Sequence, residues 1–455
     1  MQSTTHATAR RTSGGPKREW STSRWRSLGT RSFSTVAVLL TAVGVMLATS
    51  AVPAGASSPA DQGVTATTIS VGEPYVDFAA LHSLGVTIND GSFPDAYQAI
   101  VDNINAHGGV NGRKLVLHLA EMNPAVPASA ASSCTQLTED DKVFIALGPV
   151  FPDCYQQTHG TPVIAGSLPG ALPAGAPPDF ALIPPDAAFD PLQLAAFNKS
   201  GVFKGKKVAI FYGANSDAPE VKVVQDDLKK LGVNVVLTAE DSAVATDAVA
   251  SDQEVASIAQ RFQSAGVKVV VGVGGSGSTT WPRALLDNQS TYKPTYIATS
   301  ESSLISYVQS TKGANPYLSN VLSASSAPTA YQQWKDPAIQ KCVAAVHKEY
   351  PSDTITPPVN PTSAGAGNST DTTYQSVIEA CQYLSLFDQI AAKAGKNLTV
   401  ASFTKAGYAL KNASIPGIGT ISFGPGQPYA TGPVTIFKYD PTSKTLVAAS
   451  SSGTK

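Results

Sequence analysis

A glycine- and serine-rich stretch at 272–278 carries residue types suited to holding a small ligand. Gly272, Gly274 and Gly277 have the G-x-G-x-x-G spacing of dinucleotide-binding loops and follow an apolar run. The match stands alone, deep in the chain, and no acidic residue closes a following strand as a ribose contact. We therefore favour a loop whose backbone N–H groups and Ser276 hydroxyl hold a polar or anionic group near a helix N-terminus.

Aromatic residues and one acid occupy similar positions at the ends of apolar runs. Tyr75, Phe151 and Tyr212 would supply apolar walls to a binding site, and packing beneath a loop is an equal explanation for each. Glu301 comes directly after the apolar run at 295–299. A carboxylate just past the end of a central strand points into the crevice where such sheets bind ligands, so we expect Glu301 to pair with a ligand ammonium.

Catalytic signatures do not appear in the sequence. No G-x-S-x-G nucleophile elbow occurs, because the pattern around Ser276 breaks at Ser278. The six histidines are scattered, with neither H-x-x-x-H nor C-x-x-C spacing for a zinc site. We expect no catalytic residue, no metal and no cofactor.

Apolar runs alternate with amphipathic stretches along the chain, and this alternation sets the positions of the candidate residues. Ser92 with Asp95 predicts a helix N-terminus, as do Asp217 with Glu220 and Ser251 with Glu254. Nearly all-apolar strands between helices indicate parallel sheets covered on both faces. We predict an α/β fold of two doubly wound lobes, split near 184–190, with strands at 68–72, 114–120, 143–147, 161–165, 208–213, 234–238, 267–273 and 295–299.

Ligands bind such sheets outside the carboxyl ends of their strands. The stretch 351–372 is rich in Pro, Ser, Thr and Gly and predicts a mobile loop insertion between two helices. The loops expected to carry the site are 73–91, 148–153, 166–170, 212–217, 273–280 and 300–303.

The charge of the 455-residue chain is unevenly distributed. Residues 1–56 hold seven Lys or Arg and one Glu, and they contain the apolar run Val36–Ala48 before a small-residue site at Ala54–Ala56. This layout predicts a secretory signal peptide at 1–56, with a retained membrane anchor as the alternative. Removing these residues from totals of 32 basic and 33 acidic leaves 25 and 32, so the remainder is acidic. An acidic body excludes a typical nucleic-acid binder.

Four cysteines, Cys134, Cys154, Cys342 and Cys381, fall in the part of the chain predicted to be exported. Pairing sequence neighbours gives Cys134–Cys154 and Cys342–Cys381, one of three possible connectivities. Cys342 and Cys381 lie on apolar helix faces, where two buried thiols are an equal alternative. No cysteine follows the apolar run before Cys134, so a lipid-anchor cysteine is missing.

Four segments together resemble the type I periplasmic binding proteins, the leucine/isoleucine/valine-binding receptors of ABC importers. In chain order across 64–440 they are ISVG followed by DAYQAIVDNINAHGGVNGRKLVL, then DKVFIALGP, GKKVAIFYGANSD, and VKVVVGVGGSGS leading to TYIATSE. The resemblance implies two Rossmann-like lobes joined by a three-strand hinge, which close on a ligand held between them. It places lobe 1 at 62–186 plus 325–415 and lobe 2 at 187–324 plus 416–455.

The resemblance also implies individual ligand contacts. Ser167, Tyr212 and Glu301 match positions that family members use, and Cys134 and Cys154 resemble a first-lobe disulfide. The stretch 149–153 departs from the family pattern because it lacks a hydroxyl and ends in Asp153, which would repel a ligand carboxylate.

We therefore expect a non-enzymatic, exported and extracytoplasmic substrate-binding protein of an ABC importer. It would be a monomer that captures a small polar or amino-acid-like solute by hinge closure and then contacts a membrane permease, with no nucleic-acid partner. The alternative function is a secreted or cell-surface sensor or scaffold that keeps the fold without transport.

Overall fold

A computed structural model of the chain describes residues 61–78, 89–123, 126, 128–148, 154–155, 160–167, 179–213, 218–243, 247–369 and 371–449. The predicted signal peptide at 1–56 lies outside these residues. None of the described helices combines the length and the apolar character that crossing a membrane requires.

The strands are numbered in chain order. They are β1 (Thr68–Val76), β2 (Lys114–Met122), β3 (Ile145–Leu147), β4 (Val163–Ala165), β5 (Asp179–Ala181), β6 (Val208–Gly213), β7 (Val235–Asp241), β8 (Val269–Val273), β9 (Thr295–Ala298), β10 (Val321–Ser325), β11 (Ala413–Ile415), β12 (Gly419–Ile421), β13 (Thr435–Asp440) and β14 (Thr445–Ala448).

The helices are numbered in the same way. They are α1 (Phe93–Ala106), α2 (Ser129–Thr135), α3 (Asp186–Lys199), α4 (Ala218–Lys230), α5 (Ala248–Ser264), α6 (Gly274–Asp287), α7 (Glu301–Ser310), α8 (Ala330–Trp334), α9 (Pro337–Glu349), α10 (Gln375–Ala394) and α11 (Val400–Tyr408). A π-helical turn at Gln136–Asp140 continues α2, and 3-10 turns lie at Pro316–Asn320 and Ala366–Asn368.

Two separate sheets confirm the predicted doubly wound α/β architecture. The first is all parallel with the order β2-β1-β3-β4-β5, so the winding reverses between β1 and β3. The second has the order β14-β13-β10-β9-β8-β6-β7, and its five strands from β6 to β10 are parallel. The late strands β13 and β14 join its edge in antiparallel pairing.

Helix α1 begins directly after Ser92, as predicted, and the local sequence explains why. The Ser92 hydroxyl accepts a hydrogen bond from the Asp95 N–H at 3.3 Å, which satisfies a backbone donor left free at the helix start. Pro94 fits the first turn, where no N–H is needed. The apolar positions Tyr97, Ile100 and Val101 are then buried against the first sheet and its neighbours.

Each sheet has its own hydrophobic core. The core of the first sheet includes Ile69, Phe180 and Phe387, and the core of the second includes Phe211 and Trp281. Late residues Ile421, Phe423 and Ala430 belong to the first core. The lobe boundaries remain a prediction, and this packing favours a last crossover nearer to Val434 than to residue 416.

Two local predictions were wrong. Helix α5 begins at Ala248 and not at Ser251, because the Asp247 carboxylate caps it by accepting the Ala250 N–H at 3.0 Å. The Ser251 hydroxyl lies inside the helix and donates to Asp241 at 2.6 Å. Helix α6 begins at Gly274, so the predicted loop 273–280 is mostly helical. Asp217, predicted to cap α4, lies outside the described residues.

Both predicted disulfides are present. Cys134 pairs with Cys154, and Cys342 pairs with Cys381, which joins α9 to α10. The alternative of two buried thiols at Cys342 and Cys381 is therefore wrong.

The stretch 351–372, here called the bridging segment, leaves α9 and returns to α10 by way of the second sheet. The Gly365 N–H donates to the Thr442 carbonyl oxygen (3.0 Å), and the Gly367 N–H donates to that of Ser443 (2.8 Å). Both acceptors lie in the turn between β13 and β14. The predicted mobility of the segment remains a prediction, and its path connects the two cores.

Candidate functional site

The carboxyl end of β9 places Glu301 at the edge of the second sheet. Strand β9 ends at Ala298, and Thr299 and Ser300 lead directly into α7, whose first residue is Glu301. Thr299 and Ser300 are buried, whereas Glu301 is half-buried. The carboxyl group therefore projects from a short, well-packed connection between a strand and a helix.

Three hydrogen bonds from two helices, α6 and α3, hold this connection in place. The Thr299 hydroxyl accepts from the Gly274 N–H of α6 (2.9 Å), and the Thr299 carbonyl oxygen accepts from the Gln193 amide of α3 (3.0 Å). The Ser278 hydroxyl accepts from the Ser300 N–H at 3.0 Å. Gly274 and Ser278 of the glycine- and serine-rich stretch thus hold the connection that carries Glu301.

Glu301 lines a cavity of about 320 Å³ at the crossings between the two cores. Ile183 contributes from the connection after β5, and the stretch from Ser325 to Tyr331 contributes from the connection after β10. The bridging segment and the hairpin β13–β14 form the remaining walls. Pockets of this size hold small organic molecules when a few polar groups converge on apolar walls.

The two acids of the cavity differ in protonation. Burial raises the pKa of Glu301 from 4.5 to about 7, opposed by a hydrogen bond with the Ser325 side chain. The pKa of Asp371 is lowered because the Thr373 N–H (3.1 Å) and the Thr356 and Thr373 side chains hydrogen-bond to it. Asp371 is therefore ionised at neutral pH, whereas Glu301 titrates near neutrality.

The two tyrosines expected in the site have other partners. Tyr75 donates to Glu121 at 3.3 Å, and Tyr212 donates to Glu240 at 3.1 Å. In each case the acceptor lies on the neighbouring edge strand, β2 or β7. Neither tyrosine lines the cavity at Glu301.

The other predicted contacts are dispersed. Ser276 lies half-buried in the first turn of α6, and Ser167 is exposed just past β4. Neither lines the cavity at Glu301. Phe151 and Asp153 lie outside the described residues. As ligand contacts, all four residues remain predictions.

The sequence analysis missed the bridging segment and the stretch after β10 as walls of the cavity. Pro358, Val359 and Pro361 line it, as does Tyr331 of α8. For the bridging segment, the only signal in the sequence was a Pro-rich composition, which indicates irregular backbone but not where that backbone packs.

The described residues include no group of three or more His, Cys, Asp or Glu side chains placed to hold a metal ion. The cavity instead offers one half-buried carboxyl, one ionised carboxylate and apolar walls. This set can hold a small organic solute through hydrogen bonds and burial.

Solved structures with this fold include several transport receptors. One is an ABC transporter substrate-binding protein from Desulfitobacterium hafniense in complex with Leu, at 18% identity and TM-score 0.55, covering 84% of this chain and 99% of that one. Another is a fatty acid ABC transporter substrate-binding protein from Thermomonospora curvata, at 17% identity and TM-score 0.53, covering 86% and 93%. A solute-binding protein from R. palustris in complex with 4-hydroxybenzoate has 15% identity and TM-score 0.55, covering 84% and 95%.

Among curated proteins, none matches the chain significantly. The family model described as periplasmic binding protein matches residues 86–444, which is most of the chain and contains most of both sheets. Together with the two doubly wound sheets, this match shows that the chain belongs to the type I periplasmic binding protein family.

Proposed function

We propose that this protein is a non-enzymatic, extracytoplasmic receptor of an ABC importer that holds its solute in the cavity at Glu301. The observation that carries the proposal is the position of that cavity. Its walls come from both cores and from the connections between them, so a rotation at those connections changes its width. Hinge closure around a ligand is the motion that such an arrangement supports.

The closed form would be the one that a membrane permease recognises. A small polar or amino-acid-like solute, as the sequence predicts, would place its amino group on Glu301. Closure would bring Tyr75, Ser167, Tyr212 and Ser276 nearer to that solute.

Calorimetric titration of residues 57–455 against a panel of amino acids, amines, amides and carboxylates tests the proposal. We expect one class to bind with a dissociation constant in the micromolar range or below, and small-angle scattering to show a decrease in radius of gyration on binding. Binding of no compound in the panel would contradict the proposal.

Export is a separate part of the proposal. Expressed in a secreting host, the full chain should appear outside the cytoplasm with a new N-terminus near Ser57. An N-terminus that keeps residues 1–56 would favour the membrane-anchor alternative.

A further inference from the structure

The charged residues that line the cavity at Glu301 are both acidic. They are Glu301 and Asp371, and no lysine or arginine is among the described residues that line it. Lys335 is not a lining residue, although its Nζ lies 3.9 Å from the centroid of the ring of Tyr331, which does line the cavity. Lys444 meets the bridging segment through its backbone and Cβ at Gly367. Within the part of the chain that the structure describes, a ligand carboxylate in the cavity would therefore face two acids and no lysine or arginine of the lining.

The internal stretches outside the described residues add no lysine or arginine that could line the cavity. Between residues 61 and 449 those stretches contain no lysine and no arginine, and their basic residues are His82 and His159. The stretch 149–153 also lacks a hydroxyl group.

Several hydroxyl groups of the lining already have partners. The Ser325 side chain hydrogen-bonds with Glu301, and the Thr329 hydroxyl bonds with Gln332 at 3.2 Å. The Thr372 hydroxyl donates to the Asn89 carbonyl oxygen at 3.1 Å. At the start of α6, the Gly274 N–H donates a hydrogen bond to the Thr299 hydroxyl. These groups are not free to hold an anion.

The walls are apolar on several sides. Ile305 of α7, Tyr331 of α8, Val359 of the bridging segment and Leu446 of β14 all line the cavity. An apolar ligand body gains free energy when such walls remove it from water, and the single half-buried carboxyl fixes its polar end.

We propose that the cavity takes an amphipathic amine: a small aliphatic or aromatic body with an ammonium group and no carboxylate. The ammonium donates hydrogen bonds to Glu301, Asp371 lies at the same cavity and favours positive charge, and the body contacts the apolar walls. This inference rests on the proposed function, since it assigns the solute class of the same site.

Two ligand series matched in their apolar bodies test the inference by calorimetry at pH 7.5. One is 3-methylbutylamine, leucine and 4-methylpentanoate, and the other is 2-phenylethylamine, phenylalanine and 3-phenylpropionate. We expect at least one amine to bind tenfold or more tightly than its amino acid, and the carboxylates to bind least.

Glu301→Gln is the decisive variant, because it removes the charge and keeps the shape. It should reduce the preference for amine over carboxylate at least tenfold. Glu349→Gln is the matched control at an exposed helix position and should leave the preference unchanged. Circular dichroism confirms that both variants are folded. If Glu301→Gln does not fold, Asp371→Asn should still reduce the same preference, by a smaller factor.

The outcomes separate this inference from the proposed function. An amino acid or carboxylate that binds as tightly as its matched amine would overturn the solute class and leave the receptor function intact. The same conclusion follows if only compounds outside both series bind. An unchanged preference in Glu301→Gln would remove Glu301 from recognition, whereas binding of no solute at all would overturn both proposals.

Discussion

Glu301 should make the stability of the ligand-free protein depend on pH. Its pKa is 4.5 in an unperturbed carboxyl and about 7 in the folded chain, because burial disfavours the charged form. Between these two values the folded protein holds a proton that the unfolded chain has released. Stability from this group is therefore complete below pH 4.5 and is lost as the pH rises through 7.

The magnitude follows from the two pKa values. At about 1.36 kcal/mol per pH unit, the difference corresponds to about 3 kcal/mol as an upper bound, since Glu301 retains partial contact with solvent. Glu301→Gln lacks the titrating group, so its free energy of unfolding should fall less than that of the wild type between pH 4.5 and pH 8. The difference between the two proteins should change by about 2–3 kcal/mol across this range.

Urea denaturation of wild type and variant, in parallel at pH 4.5, 6, 7 and 8 and without ligand, measures this difference. The two proteins share all other titrating groups, so the contributions of those groups to the pH dependence largely cancel in the difference. Glu349→Gln, at an exposed position, should run parallel to the wild type. Parallel curves for Glu301→Gln and wild type would refute the burial argument for Glu301.

Three further perturbations test the packing around the site. Gly367→Ala would place a Cβ 1.9 Å from the Lys444 carbonyl oxygen, so it should detach the bridging segment from the second sheet and weaken solute binding about tenfold. Ser363→Ala is the control. Unchanged affinity in Gly367→Ala would show that the bridging segment is not a wall of the cavity. Trp281→Ala removes a ring that is 1% exposed and packs among four aromatic rings. Chemical denaturation should show that the free energy of unfolding falls by about 3–5 kcal/mol, and a decrease below about 1 kcal/mol would contradict this packing. Replacing both Cys134 and Cys154 by Ser opens a 20-residue loop. The loss of this cross-link should lower the free energy of unfolding by about 3 kcal/mol, because the unfolded chain gains entropy, and equal stability of variant and wild type would contradict this explanation.

The sequence was sufficient where local hydrogen bonds and the spacing of apolar residues determine the structure. Strands β6 and β8 follow from nearly continuous apolar runs, since a strand buried on both faces needs no polar positions. The start of α1 follows from Ser92, which satisfies a free N–H within its own turn. The position of Glu301 just past β9 follows from the same kind of pattern.

The sequence was insufficient where a distant group supplies the deciding contact. Glycines favour a loop at 274–277, but Thr299 accepts the Gly274 N–H, and the Ser278 hydroxyl donates to the Gly274 carbonyl oxygen at 2.7 Å, so α6 starts there. Tyr212 ends an apolar strand like a ligand contact, yet Glu240 of the adjacent strand accepts its hydroxyl. Thr299 lies 25 residues from Gly274, and Glu240 lies 28 residues from Tyr212, so neither of these two partners is a near neighbour in the chain.

The amino-acid sequence by itself determined the two doubly wound sheets and the acid at the end of β9, because these depend on short-range periodicity and strand-end position, and four of its segments carried the resemblance to the family. Tertiary structure alone decided what surrounds that acid. The bridging segment reaches the cavity because the carbonyl groups of Thr442 and Ser443, more than 70 residues away, accept its N–H groups. No local pattern encodes such a pairing, since its free energy depends on where two remote stretches of chain meet.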